Sequence, residues 1–350
     1  MLNERIEAKW IDMFEEIFRG LTKVQPGEVV AILSETQSRR LLVDLSELAL
    51  SRLGVRLYHV VLPTPRAAHP VELRSTGTCL ALGNLRQVID ALAGANLVID
   101  LTVEGLLHSP ERKDILARGA RMLMISNEHP EALERFHLNP ALQEKCVRGA
   151  EMITNAKRMQ VTSAAGTDLI VNLEGVTGRG SAGAADRPGI MGYWPAGLCL
   201  CFPNPGSVNG KIVLMPGDSN LTFKRYVEAP VILTIEHDYV TSIEGDGVDA
   251  QLMRSYYEAW NDREAYAVSH VGWGMNPGAR WDTLVMYDRR DLNCTEQRAF
   301  AGNFLFSTGA NEVAGRFTPC HFDIPMRHCT VKLDDECVVK DGVVQGELAL

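Results

Sequence analysis

The 350-residue chain carries a net charge of −9, with 46% hydrophobic and 23% charged residues, the balance of an ordinary globular protein. The acidic balance and the lack of any basic run argue against a nucleic-acid partner. No apolar run reaches the roughly 20 residues that a membrane helix needs, and the charged stretch Met1 to Trp10 does not read as a signal peptide. The length predicts two domains.

In chain order, Leu2 to Thr22 reads as an amphipathic helix, with Ile6, Trp10, Met13, Phe14, Ile17 and Leu21 at helical spacing, closed by Pro26-Gly27. Val29 to Leu33 is a short apolar run of the kind found in buried parallel strands. A helix over Arg39 to Leu53 follows, then a strand over Val55 to Val61, a helix over Leu85 to Ala93 and a strand over Asn96 to Leu101. Next come a helix over Glu111 to Arg118, a strand over Arg121 to Ser126, and helices over Pro130 to Phe136 and Ala141 to Arg158. This alternation predicts an α/β domain over residues 1–160, built on a parallel sheet. The first strand leads into Ser34-Glu35-Thr36-Gln37-Ser38, so the glycines of a dinucleotide-binding turn are missing and the sheet reads as a scaffold. His108 falls just past the third strand, at the end of a parallel sheet where chemistry is usually placed; the plainer reading is a solvated loop histidine.

Near residue 160 the helical period gives way to alternation, in Asp168 to Leu173, Lys211 to Met215 and Val231 to Glu236. Turn signals such as Asn209-Gly210 and Pro216-Gly217-Asp218 separate these runs. A β-rich α+β domain over residues 161–350, with one helix from Val248 to Trp260, is therefore expected. Gly175 to Gly192 is dense in glycine and alanine and runs into Tyr193-Trp194, which reads either as a surface loop or as a loop presenting both aromatics to a pocket. The eight cysteines are scattered with no Cys-x-x-Cys pair, as expected of reduced, mostly buried thiols in a cytoplasmic protein.

Two runs near the C-terminus carry the chemistry. Thr318 to Pro325 contains His321 and Asp323, two residues apart, so a strand there puts both side chains on one face. With His270, from Ser269-His270-Val271-Gly272-Trp273-Gly274, they would form a two-His, one-carboxylate set, which leaves open positions on a metal and is typical of non-haem Fe(II) enzymes that use O2. The plainer reading of His-x-Asp is a surface pair or a satisfied hydrogen bond.

These blocks, together with Trp194-Pro195, Pro203 and Val208-Asn209-Gly210, resemble the 2,5-dihydroxypyridine 5,6-dioxygenases, in a superfamily shared with the thermophilic-type metallo-aminopeptidases. The resemblance covers nearly the whole chain. It implies one Fe(II) on His270, His321 and Asp323, opening of a dihydroxylated pyridine by O2 to N-formylmaleamate in nicotinate or picolinate catabolism, and a homo-oligomer. For such a reaction His108, Tyr193 and Glu174 are the candidates for proton transfer, and Trp194 and Phe322 the candidates for stacking on the ring.

The aminopeptidase branch would need two ions. The stretch matching its glutamate block is Trp194 to Cys199, without a carboxylate, and Gly302 to Leu305 lacks its extra histidine. Too few anionic ligands remain for two ions. The chain also departs from the dioxygenases, because Tyr193 stands where they are expected to carry histidine before Trp-Pro. A related heteroaromatic substrate, an aminopeptidase-like metallo-hydrolase and a binding module on the same scaffold are therefore the alternatives.

Overall fold

A computed structural model of the protein describes residues 2–66 and 79–350. The chain begins with α1 (Ala8–Ile17), which widens into a π-helical turn at Phe18–Thr22 instead of running as one α-helix from Leu2 to Thr22 as expected. It proceeds through β1 (Val29–Glu35), α2 (Arg40–Arg52), β2 (Arg56–Leu62), α3 (Arg86–Ala93), β3 (Leu97–Asp100), α4 (Arg112–Leu116), β4 (Arg121–Ile125), α5 (Pro130–Leu133) and α6 (Pro140–Asn155). The β-rich remainder opens with β5 (Arg158–Ser163), β6 (Asp168–Asn172), β7 (Gly178–Ser181), β8 (Met191–Trp194), β9 (Leu198–Cys201) and β10 (Val208–Leu214). A small ribbon, β11 (Ser219–Asn220) and β12 (Arg225–Tyr226), leads to β13 (Val231–Glu236), β14 (Tyr239–Glu244), α7 (Val248–Trp260) and β15 (Val268–Gly274). The short helices α8 (Thr283–Met286) and α9 (Thr295–Ala299) precede β16 (Phe304–Asn311), β17 (Arg316–Met326), β18 (Cys329–Leu333), β19 (Glu336–Lys340) and β20 (Val343–Val344).

The expected architecture is found: a parallel α/β layer and a β-rich part. Among the described residues the parallel sheet has the order β2-β1-β3-β4-β8. Its central strands β1, β3 and β4 are buried on both faces, which is why they read as unbroken apolar runs, whereas the edge strand β2 is largely exposed or half-buried. Along β1, Val30 and Ile32 pack with Phe14, Leu42 and Leu45 of α1 and α2, while Ala31 and Leu33 pack with Ile89, Leu92 and Ile115 of α3 and α4. The fifth strand arrives late in the chain: β8 pairs in parallel with β4, in the register Met122↔Met191 to Ile125↔Trp194.

The β-rich part holds two antiparallel sheets, ordered β14-β13-β10-β6-β5-β18-β19-β20 and β17-β16-β15-β9-β7. Their shared core takes in Val161, Leu233 and Val331 from the first sheet and Trp273, Phe306 and Phe322 from the second, with Met253, Tyr256 and Tyr257 of α7. The glycine-rich segment is partly a strand rather than a loop. Pairing of β7 with β9 brings it onto α6, where a Cβ at Gly178 or Gly180 would overlap the carbonyls of Ala150 and Cys146. Glycine is needed there for close approach, not for mobility. No helix among the described residues is long and apolar enough to cross a membrane.

Candidate metal centre and its cavity

β17 holds its side chains in strict alternation. Cys320, Phe322 and Ile324 enter the core between the sheets, so His321 and Asp323 point the other way. On the neighbouring strand β16, Ser307 pairs with Asp323 and Gly309 with His321. Gly309 has φ +109°, and a Cβ there would overlap the carbonyl of Cys320, so the two strands close over this point only with glycine. On β15 the register slips between Val268 and Val271, which face Thr308 and Phe306, leaving Ser269 and His270 together opposite Ser307. A bulge of this kind re-aims a side chain, and here it accompanies the arrival of His270 beside the β17 pair.

The result is a compact triangle. His270 Nε2 lies 3.3 Å from His321 Nε2, and Asp323 Oδ1 lies 3.5 Å and 3.3 Å from those two nitrogens. All three residues are buried, and they form the one cluster among the described residues with metal-ligand geometry. An ion bonded at about 2.0–2.2 Å to imidazole nitrogen and carboxylate oxygen sets its donors about 3.0–3.5 Å apart. The triangle has that size, so the residues present fit one divalent transition ion. Ser307 Oγ donates to Asp323 Oδ1, and Arg298 Nε donates to Oδ2 at 2.5 Å. A guanidinium therefore occupies the side of Asp323 where a carboxylate bridging two ions would meet its second ion.

Electrostatics favour a neutral His270 and an ionised Asp323. Burial pushes His270 down to about 3, against the pull of Asp323. Burial alone would raise the Asp323 carboxyl, but the neighbouring His321 and the Arg298 guanidinium hold it well below the usual carboxylate range.

The triangle opens into a cavity of about 290 Å³. Leu198, Leu200 and Phe202 line it from β9 and just beyond, while Cys199 and Cys201 face the core, again by alternation. Met124 comes from β4 and Tyr193 from β8; Leu107 and His108 come from the loop after β3. That loop is fastened by Asp100, which accepts from Thr102 N at 3.0 Å, Thr102 Oγ1 at 2.7 Å and Leu106 N at 2.7 Å. Glu35, at the end of β1, accepts from Val103 N at 3.3 Å. His108 is thereby carried to the carboxyl ends of the parallel strands, its ring centroid 4.2 Å from that of His321. Burial, then the nearby His321 and His270, keep its pKa well below the ordinary value, so the ring is neutral. Burial raises the pKa of Tyr193, which stays a phenol.

Three expected site residues lie elsewhere. Trp194 follows Tyr193 on β8 and so faces the opposite side, in the core against Phe136, with centroids 6.1 Å apart. Phe322 sits between His321 and Asp323 and faces the core for the same reason, stacked on Tyr256 at 4.7 Å. Glu174 is an exposed turn residue just after β6, outside the cavity lining. Residues that spacing did not single out are Arg298 and Ser307, which hold the carboxylate, and Phe202, Asn293 and Thr295 in the lining.

A family model described as 2,5-dihydroxypyridine 5,6-dioxygenase matches residues 9–346. A curated 2,5-dihydroxypyridine 5,6-dioxygenase of Pseudomonas putida KT2440 is 38% identical over 344 residues, covering 96% of each chain. The solved structure of a 2,5-dihydroxypyridine dioxygenase from the same organism matches with a TM-score of 0.90 at 36% identity, over the whole of both chains. Wild-type AmpT from Thermus thermophilus has a TM-score of 0.65 at 12% identity, over 97% of this chain and 99% of that one, a likeness of fold alone.

Proposed function

We propose, from the premise that the chain belongs to the 2,5-dihydroxypyridine 5,6-dioxygenase family, that it is an Fe(II)-dependent dioxygenase opening 2,5-dihydroxypyridine with O2 to N-formylmaleamate. The observation that carries this reading is the triangle of His270, His321 and Asp323 at a small, largely apolar cavity. Two imidazoles and one carboxylate suit a single ferrous ion with open positions. When bound, that ion supplies Lewis acidity toward a ring hydroxyl and a redox partner for O2.

The chain's own groups do the rest. Leu107, Met124, Leu198, Leu200, Phe202 and Leu305 form apolar walls that keep water from the ring. At the small end of the range for ligand pockets, roughly 300–1,000 Å³, the cavity suits a single flat ring. His108 and Tyr193 face it as neutral groups, able to orient ring substituents by hydrogen bonds and to pass a proton. Tyr193 is a weaker acid than the histidine expected at its position, and we place ring selectivity there: Tyr193→His is expected to change the ranking of hydroxylated pyridines by kcat/KM while iron content stays constant. An unaltered ranking would remove Tyr193 from selectivity.

A two-ion hydrolase fits less well, because Arg298 engages the second oxygen of Asp323. Arg298→Gln is expected to weaken iron binding by about 10–100-fold, the usual cost of losing a partner that holds a ligand; titration of the apo-protein with Fe(II) measures it. The eight free thiols fit a reducing, cytoplasmic setting, and a homo-oligomer follows from the family resemblance. The deciding experiment is anaerobic loading with Fe(II), then O2 uptake against a panel of hydroxylated pyridines. One iron per chain and uptake on 2,5-dihydroxypyridine are expected. Two ions per chain with O2-independent amide hydrolysis would replace this reading with the hydrolase.

A further inference from the structure

Two residues of the cavity lining, Asn293 and Thr295, flank Cys294, whose φ of +65° is uncommon for a residue with a side chain. Their polar groups lead to one carboxylate. Asn293 Nδ2 donates to Ser126 Oγ at 3.3 Å, and Ser126 Oγ lies 2.6 Å from Thr295 Oγ1. Ser126 Oγ donates to Glu128 Oε1 at 3.1 Å, and Thr295 N donates to the same oxygen at 3.0 Å. Ser126 has a single hydroxyl proton, and it goes to Glu128. While Glu128 is ionised, Thr295 is therefore the donor in the hydroxyl pair. The pair then points from the Thr295 hydroxyl to the acid, and it points back once Glu128 is protonated.

Glu128 is 0% exposed, and its Oε2 has no hydrogen-bond partner among the described residues. It has no salt bridge among the described residues. The nearest cations are engaged elsewhere: Lys224 donates to the carbonyls of Arg289 and Leu292, and Arg298 to Asp323. Glu296, close enough to influence Glu128, is paired with Arg135. A fully buried carboxyl without an ion pair is costly to keep charged. If Glu128 served only to fasten Thr295 N and Ser126, the carbonyl of a glutamine would do the same at lower cost.

We propose that Glu128 is the proton store of the ring-opening reaction, taking through Thr295 and Ser126 the proton that a ring hydroxyl loses on binding and returning it to the opened product. The inference rests on the ring-cleaving reading above. On binding, the O–H bond of the substrate breaks and one forms on Glu128, each intervening hydroxyl gaining one proton and giving one. On product formation the transfer reverses, so the enzyme keeps no net proton, and the incorporation of O2 needs no further reductant. Burial raises the Glu128 carboxyl above its ordinary range, against its hydrogen bonds from Thr295 and Ser126 and the charges of Lys224 and Arg298, as a proton store requires.

The test uses Fe(II)-loaded full-length protein and three nearly isosteric changes: Glu128→Gln, Thr295→Val and Ser126→Ala. Wild-type turnover on 2,5-dihydroxypyridine is measured first; its absence would overturn the ring-cleaving reading and this proposal with it. Given turnover, each change is expected to lower kcat about 100-fold, within the usual range for general acid–base catalysis, with KM and bound iron unaltered. The pairwise combinations are expected to be no worse than the single changes. A second readout needs no turnover. On anaerobic mixing with 2,5-dihydroxypyridine, the wild type keeps the proton, whereas Glu128→Gln releases one per site to a pH indicator. Active wild type together with an unchanged kcat and unchanged proton balance in Glu128→Gln would overturn the proposal and leave Glu128 as a fastening for the loop.

Discussion

Replacing Asp323 by alanine is expected to abolish iron retention and O2 uptake together. Asp323 supplies the only negative charge in the triangle, so the donor set would fall from two imidazoles and a carboxylate to two imidazoles. Loss of a partner that merely holds a ligand costs about 10–100-fold in metal affinity, and loss of the ligand itself should exceed that. The substitution also leaves Arg298 facing His270 and His321 without its counter-charge. Breaking a buried pair on one side costs about 3–5 kcal/mol, so lowered thermal stability is expected as well. Asp323→Asn keeps the shape and the hydrogen bond from Ser307 but not the charge, so iron lost there as well is lost through the charge and not through an emptied site. Elemental analysis and an oxygen electrode decide the matter; iron content and uptake equal to wild type in Asp323→Ala would remove Asp323 from the metal set.

Phe322→Ala is expected to unfold the protein more easily while leaving substrate affinity alone. Phe322 is fully buried, stacked on Tyr256 and set edge-on to Tyr257, with centroids 4.7 Å and 5.5 Å away. Emptying such a site costs about 3–5 kcal/mol, a fall in Tm on the order of 5 °C for a chain of this length. Its neighbours in sequence, His321 and Asp323, point the other way, so KM for the ring should not move. A large rise in KM with an unchanged Tm would return Phe322 to the substrate.

The layers of the fold were legible because their signals are local. Unbroken apolar runs such as Val29 to Leu33 mark strands covered on both faces, and the thirteen residues of α7 bury Met253, Tyr256, Tyr257 and Trp260 at the spacing that the sequence displays. The His-x-Asp pair was legible for the same reason, since alternation is a property of the strand itself. The same alternation keeps Phe322 out of a pocket that His321 and Asp323 face, and keeps Tyr193 and Trp194 off one side of a strand. What could not be read is what depends on other strands. The bulge opposite Ser307, the reach of Arg298 from α9 and the route from Thr295 to Glu128 join positions far apart in the chain, and no spacing announces them.

The late arrival of β8 bears on how the molecule is made. Until Trp194 has left the ribosome, β4 stands as the outer border of its sheet, with an unpaired backbone edge toward the nascent chain. All of α5 through β7 must therefore be synthesised before the first layer can be sealed. A polypeptide cut between β7 and β8 should yield two pieces that recognise each other by strand addition, and a free peptide spanning β8 and β9 should capture the shortened first piece.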